Sequence, residues 1–552
     1  MQAYLTTEEG IYYKSEDVHP FAWHKAAFTE LRELEYAAIL ADVGCGKSAL
    51  FLYLAVHKYM QGIANAVLLF APNSVYRQWA TQQIEQHCAV PYSICVWGEH
   101  SPAKDKRLVA EFTHEACDGL KFLIVNIEAM SHDTYLDLFK DFVASNKTIV
   151  CVDEATRIKT HTAKRTVNVV FGLNRTRFIG KRLVDVEMLS VARYILTGSI
   201  VTNSPYDLYS LFNFLKINFF NMAFTQFKAR YGIERKCQNN AGRIYFKKLT
   251  LKEMQEIRKH VSDGCPMDYI ALNYGTTLSD ILFIVNHPNI TLPWKNLDEL
   301  KTRIQPWSYT VKIEDCFADI PERQYMTLDV DMSETQKKIY ASLKRNLYVA
   351  LGAEEMTVTN KLVLVTRLQQ VTGGFVALRE MDQPLADLEM RLIVEPNPKY
   401  QVLMEDIDNT GEYPVIIFCR YVAEVRYIVE HLRTDLERTV EMIIGDVKMK
   451  DREKILADFD KGAVDVIVAT PGCLSTGRNL QKSHIIYFYS NDYSADSRLQ
   501  AEGRIHRAGQ KFPCIYKDLV CRGTVDERVI AALKDKKDLI DYMRGDLILD
   551  SL

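Results

Sequence analysis

Apolar residues recur along this chain in two alternating ways. Residues 36–200 carry short, β-rich apolar runs at Tyr36–Leu40, Ala66–Phe70, Lys121–Val125, Thr148–Val152 and Arg193–Leu196. Longer segments with helical spacing lie between them, such as Ser48–Met60. Uninterrupted apolar runs are what strands covered on both faces need, so the pattern predicts a parallel sheet with helices on either side. Such sheets bind ligands beyond the carboxyl ends of their strands. Residues 400–550 repeat the design in Val415–Cys419, Thr439–Ile444, Asp465–Ala469, His484–Tyr489 and Cys514–Val520. The middle is less regular. It holds helical stretches such as Leu249–His260 and Glu334–Leu351, and a Pro-bearing, strand-like segment around Ile320–Val330. The expected class is α/β, with one parallel-sheet domain over 1–205 and another over 396–552. Residues 206–395 are read as helical protrusions and a linker.

Composition changes this picture little. The chain has 552 residues, 48% of them hydrophobic, and a formal net charge of −3. That is ordinary for a globular protein with ample core, and any nucleic-acid contact has to come from a local basic groove. The 12 cysteines form no CxxC pair and no Cys/His cluster at zinc spacing. Several sit in apolar runs, Cys151 and Cys419 among them, and are read as reduced, which points to the cytoplasm (the host's, for a phage-encoded protein). The N-terminus is too polar for a signal peptide, and no apolar stretch approaches the roughly 18 residues of a membrane span.

Chemistry concentrates at strand ends. After the first run the chain reads Ala41-Asp42-Val43-Gly44-Cys45-Gly46-Lys47-Ser48-Ala49 and enters a helix. This is the context of a phosphate loop, although Ala41 stands where the usual pattern has its first glycine. Gly44, Cys45, Gly46 and Ala49 would lend backbone to a bound nucleotide. Lys47 would reach the β- and γ-phosphates, and Ser48 would hold Mg²⁺. Cys45 is read as a small filler, with oxidation as the alternative. The fourth run ends in Asp153-Glu154. Asp153 fits a Mg²⁺ partner, and Glu154 fits the group that orients or deprotonates an attacking water. Taken alone, the two acids would equally suit a helix N-cap. In Gln500-Ala501-Glu502-Gly503-Arg504-Ile505-His506-Arg507-Ala508-Gly509-Gln510, the two arginines are three apart and would share one face of a helical turn. They could neutralise a γ-phosphate, or merely form a solvated basic face.

That last string resembles motif VI of the Swi/Snf-type branch of superfamily-2 helicases. ADVGCGKS resembles motif I, and VDEA motif II. Phe70–Trp79 is similar to motif Ia, Val125–Ala129 to the motif Ib region, Leu196-Thr197-Gly198-Ser199 to motif III, and Ala469–Leu480 to motif V. The series runs in the right order over most of the chain, and the compact size is similar to phage and bacterial members. The resemblance implies two RecA-like domains of the P-loop NTPase type and ATP hydrolysis with Mg²⁺. It further implies movement along DNA, duplex or branched and read without sequence preference, by a protein taken as a monomer with no membrane role. Lys47, Ser48, Asp153, Glu154, Arg504 and Arg507 carry over as catalytic or nucleotide-binding residues, and Gln500 as a nucleotide-side neighbour. Thr197 and Ser199 would couple hydrolysis to domain movement. Ser74, Asn126, Thr476 and Asn479 would touch the DNA backbone. One departure concerns the base: in His19-Pro20-Phe21-Ala22-Trp23-His24-Lys25, lysine stands where a glutamine usually reads adenine. Phe21 or Trp23 could stack on the base, or pack as core.

Residues 157–184 contain eight Lys/Arg and no acid, Lys164, Arg165, Lys181 and Arg182 among them. Phosphate contact is the natural use of such a stretch, Lys164 and Arg165 being the chosen contacts. The stretch Arg235–Lys259 is also basic and includes Tyr245 and Phe246, but reads more readily as a solvated face. No strand-separating wedge stands out, because the aromatic segment Phe212–Phe227 has the spacing of core. The expected activity is therefore translocation. An RNA helicase and a non-catalytic binding module are the alternatives.

Overall fold

A computed structural model describes residues 4–544 except 74, 180–181, 199–203, 239–243, 289, 291, 318, 351–357, 379–388, 412 and 475–479. The chain divides into two compact units, residues 1–316 with 535–552, and residues 317–534.

The first unit is built on a seven-stranded sheet. Its strands are β1 (Tyr36–Ala41), β2 (Ala66–Ala71), β3 (Tyr92–Val96), β4 (Leu120–Asn126), β5 (Thr148–Asp153), β6 (Ala192–Thr197) and β7 (Ser308–Val311). They lie in the order β7-β1-β6-β5-β2-β4-β3, and every pairing is parallel. β2 and β6 are buried at all six positions, and β1, β4 and β5 at all but one. This accounts for their largely apolar sequences, with Lys121 and Arg193 the buried charged exceptions. The two edge strands read differently. β3 is only half-buried throughout, and β7 at three of its four positions, so neither carries a clean apolar run.

The second unit repeats the plan with β8 (Arg323–Val330), β9 (Val415–Phe418), β10 (Val440–Ile443), β11 (Val466–Ala469), β12 (Ile485–Phe488) and β13 (Cys514–Cys521). The order is β8-β13-β12-β9-β11-β10, again all parallel. Alternate residues feed opposite faces, as the pleat requires. Val415 and Ile417 join one apolar core, and Ile416 and Phe418 join the other. Both units therefore have the expected two-sided α/β architecture.

The 206–395 segment is more than protrusions and linker. It supplies edge strand β7 to the first sheet and edge strand β8 to the second. It also holds a small body with its own core of Ile233, Leu249, Met254, Ile257, Ile270, Ile281 and Ile284. Helix Leu251–Ser262 opens this body with a reciprocal cap, Thr250 Oγ1 accepting from Glu253 N while Glu253 Oε2 accepts from Thr250 N. Phe212, Phe220 and Phe227 are buried, with ring centroids 4.7 Å apart for the last two, so that segment is core as its spacing indicated.

One buried ion pair ties the second unit together. Lys399 Nζ donates to Asp526 Oδ2 at 2.9 Å, and Asp526 also accepts from Thr372 Oγ1 at 2.9 Å and from Cys521 N at 3.3 Å. Removing one partner strands the other charge in the core. Asp526→Ala should lower the unfolding free energy of this unit by about 3–5 kcal/mol. Asp446→Ala, which breaks an exposed pair with Arg426, should change it by less than about 1 kcal/mol. Urea unfolding of both variants checks the contrast.

Candidate nucleotide site

The parallel register brings three chemically distinct strand ends side by side. Thr197 pairs with Leu40, and Leu196 with Asp153. The end of β6 thus lies between the end of β1, where the phosphate loop starts, and the end of β5, which carries the two acids. Thr197 is fully buried there. A Cβ added at Gly198 would lie 3.7 Å from the Ala41 carbonyl oxygen and 3.8 Å from Val43, so this turn is in van der Waals reach of the loop.

The loop has the backbone its glycines allow. Gly44 and Gly46 have φ of 97° and 89°, a region unfavourable for other residues. Helix Lys47–Met60 follows directly, with Gly46 as its N-cap. Lys47 Nζ rests on the loop's own carbonyls, 2.8 Å from Ala41 O and 3.3 Å from Asp42 O. Ser48 is half-buried in the first turn and Ala49 is buried behind it.

Two residues before the loop hold it from below. Trp23 donates its indole N–H to Cys45 O at 3.1 Å, so Trp23 is a buried support rather than a stacking surface. His24 Nδ1 accepts from Phe21 N at 3.2 Å, which leaves Nε2 to donate to Gly46 O at 3.1 Å. Burial pushes the His24 pKa down to about 3, so the ring stays neutral in this role. Phe21 is exposed and stands 3.7 Å from the position of an added Gly46 Cβ, beside the loop where a base could stack. Lys25 is half-buried one turn on.

The acidic end carries strain. Glu154 has φ 50° and ψ 56°, an uncommon conformation for a residue with a side chain and of the kind that clusters at functional sites. Its N–H donates to Asp153 Oδ1 at 3.0 Å. Trp79 donates its indole N–H to Asp153 Oδ2 at 2.9 Å. Burial raises the Asp153 pKa, opposed by the Trp79 hydrogen bond, the Lys47 charge and the Glu154 N–H. Trp79 is buried and opens a π-helical turn, Trp79–Gln83, inside an otherwise α-helical stretch. Trp79 stood in the sequence only as the last residue of the motif Ia stretch, since nothing in the string foretells that its ring reaches the end of β5.

The other sequence-derived residues are placed as follows. Asn126 Oδ1 accepts from Ala129 N at 3.0 Å and caps a short 3₁₀ turn. Lys164 pairs with Asp133 at 2.7 Å, and Arg165 lies 3.8 Å from Glu128. In the second unit, helix Ala495–Glu502 carries Gln500, whose Nε2 lies 3.4 Å from Asp496 Oδ2. Arg504 and Arg507 do not share a helical face, because the helix stops at Glu502 with Gly503 as its C-cap. Arg504 is buried, while Arg507 is half-buried and donates from Nε to Gly503 O at 2.6 Å. Gln510 pins the turn, its Nε2 donating to Ser483 O at 3.0 Å and its Oε1 accepting from Lys511 N at 2.9 Å. Ser74, Lys181, Ser199, Thr476 and Asn479 lie outside the described residues. All 12 cysteines are unpaired, six of them buried. No helix among the described residues is long and apolar enough to cross a membrane.

Two parallel-sheet units, with a glycine loop and a strand-end acid pair in the first, have the architecture of two RecA-like domains. Comparison with known proteins agrees: the SNF2-related domain matches residues 28–373, and the helicase conserved C-terminal domain matches residues 398–509. The chain belongs to the SNF2-related family. It is 22% identical over 515 residues to the uncharacterized ATP-dependent helicase YqhH of Bacillus subtilis, covering 92% of this chain and 76% of that one. It is 23% identical over 261 residues to Protein CHROMATIN REMODELING 4 of Arabidopsis thaliana, covering 45% of this chain but 12% of that protein. It likewise spans only 18% of the CHD3-type chromatin-remodeling factor CHR7 of the same plant. Among solved structures, the Sulfolobus solfataricus SWI2/SNF2 ATPase core in complex with dsDNA aligns over 96% of this chain and 94% of that one, at 17% identity and a TM-score of 0.36.

The Trp79–Asp153 bond gives this site a test. Trp79→Phe keeps most of the packing and removes the donor that orients the carboxylate. It should weaken Mg²⁺-dependent ATP binding by about 10- to 150-fold, the scale of one hydrogen bond to a charged group, and leave metal-free nucleotide binding within about 2-fold. Calorimetric titrations with and without Mg²⁺ measure both.

Proposed function

We propose that this chain is an ATP-driven motor that moves along duplex or branched DNA without sequence preference. The observation that carries the reading is the lateral order of strand ends in the first unit: phosphate loop, Thr197, then Asp153-Glu154. Lys47 has only to leave the Ala41 and Asp42 carbonyls to meet the β- and γ-phosphates. The oxygens of Ser48 and Asp153 are hard donors that suit Mg²⁺, with nucleotide oxygens completing its shell. The bound ion would neutralise charge on the transferring phosphoryl group. Glu154, fixed by its unusual backbone, would align the attacking water.

Arg504 and Arg507 act in this reading on the γ-phosphate, and Gln500 beside them. Thr197 and Ser199 would report the state of that phosphate to the rest of the motor. Ser74, Asn126, Thr476 and Asn479 would grip the DNA backbone. Lys164 and Arg165 would add charge, exchanging Asp133 and Glu128 for phosphates at little cost, since exposed ion pairs are worth about 0–1 kcal/mol. In this reading the protein works in the cytoplasm, which its unpaired cysteines suit, and as a monomer.

Phosphate release in the presence of single-stranded DNA, duplex DNA, branched DNA or RNA tests the proposal. Duplex or branched DNA should stimulate turnover most. Lys47→Ala should lower turnover by on the order of 10³-fold, and Glu154→Gln should do the same while still binding ATP. Preferential stimulation by RNA would make the chain an RNA helicase, and wild-type turnover in either variant would remove these residues from the site.

A further inference from the structure

The small body inserted in the first unit carries an antiparallel two-stranded ribbon, Glu234–Gln238 with Ile244–Lys248. These strands join no other sheet. Three consecutive residues of the second strand lie open to solvent: Ile244 at 49%, Tyr245 at 37% and Phe246 at 58%. Successive strand residues point to opposite faces, so both faces of the ribbon expose large apolar groups. A two-stranded ribbon is marginal by itself, and Ile-Tyr-Phe in water adds nothing to its stability. Single exposed apolar residues need no explanation, but an uninterrupted trio on a projecting ribbon does.

The root of the ribbon is held firmly. Lys236 N donates to Gly275 O at 2.7 Å, Thr276 Oγ1 donates to Glu234 O at 3.0 Å, and Arg235 pairs with Glu253 at 3.1 Å. Lys248 packs 3.8 Å from the centre of the Trp294 ring. The exposed residues are therefore presented in a fixed place.

Charge identifies the occupant. The described strands carry Arg235, Lys236, Lys247 and Lys248 against one acid, Glu234, and Lys228 neutralises that acid at 3.2 Å. Lys236 and Lys247 are exposed beside the apolar trio, and Lys228 also lies 5.9 Å from the Phe246 ring. Solvent-exposed aromatic rings interleaved with ammonium groups suit a ligand that is itself a stack of flat rings on a polyanion. In a duplex those ring faces are covered by neighbouring bases. The ribbon therefore suits a strand whose bases are unpaired.

We propose that the ribbon of strands 234–238 and 244–248 is a binding finger for unpaired nucleic acid, with a base stacking on Phe246 while Lys236, its partner in the register, and Lys247 meet the phosphates. It would engage the unpaired strand at a junction. This inference rests on the reading that the chain works on DNA, and the two can fail separately.

The test uses the full chain and a short oligothymidylate carrying 2-aminopurine. Phe246→Ala should weaken binding about 5- to 150-fold, the range of one base–aromatic stack, and Phe246→Trp should keep it. Lys236→Ala with Lys247→Ala should make the dependence of log affinity on log salt shallower by about 1.4. Circular dichroism would confirm that these exposed substitutions leave the fold intact. Unchanged affinity for the oligonucleotide in Phe246→Ala, with duplex stimulation of ATPase retained in the wild type, would overturn the finger alone. If Phe246→Ala instead abolished self-association seen in sedimentation, the ribbon would be a protein interface and the finger would likewise fall. A wild type that binds and responds to no DNA would overturn both readings.

Discussion

The parallel pairing of β1, β6 and β5 is the constraint on which the nucleotide site depends. A parallel sheet aligns the carboxyl ends of its strands on one edge, and backbone hydrogen bonds fix how far each strand reaches. Leu40 opposite Thr197, and Leu196 opposite Asp153, therefore set the distance between loop and acids before any side chain is considered. A one-residue slip would send the buried side chains of β6 to the wrong faces. Thr197, fully buried between the two chemistries, is placed to feel a change on either side.

Around that frame, local interactions hold the polar groups ready. Lys47 is satisfied by its own loop, so its charge is not stranded. His24 and Trp23 brace the loop through the carbonyls of Gly46 and Cys45, and the Asp42 and Cys45 N–H groups are taken by Val311 O and Asp42 O. Trp79 and the Glu154 N–H each take one oxygen of Asp153, which fixes the carboxylate plane. The strained backbone at Glu154 costs on the order of 1–3 kcal/mol, which the buried neighbouring strands can offset.

Much of this was legible in the sequence, for a physical reason. Strands buried on both faces are mostly apolar, and β1, β2, β4, β5, β6, β9, β11 and β12 were visible on that ground, while β13, with Lys517 and Asp518, and the edge strand β10, with Glu441, were found from shorter apolar stretches. The edge strands β3 and β7 were not, because half-buried strands such as Tyr92–Val96 carry mixed residues. The glycine loop that opens a helix and the acid pair at a strand end were legible because they are local features of consecutive residues. Trp79 was not, since its role depends on a contact 74 residues away in the chain. The pairing of Lys164 with Asp133 and the burial of Arg504 are likewise tertiary facts. The ribbon at 234–248 looked like a solvated basic face because charge can be counted in a sequence, whereas exposure of Ile244 and Phe246 cannot.

The central claim is that hydrolysis at this site drives movement along duplex DNA rather than separation of its strands. Displacement of a triplex-forming third strand from a duplex, set against unwinding of a long forked duplex under the same ATP, measures the difference directly. The account predicts ATP-dependent displacement of the third strand with little unwinding of the fork. Efficient unwinding without third-strand displacement would contradict it.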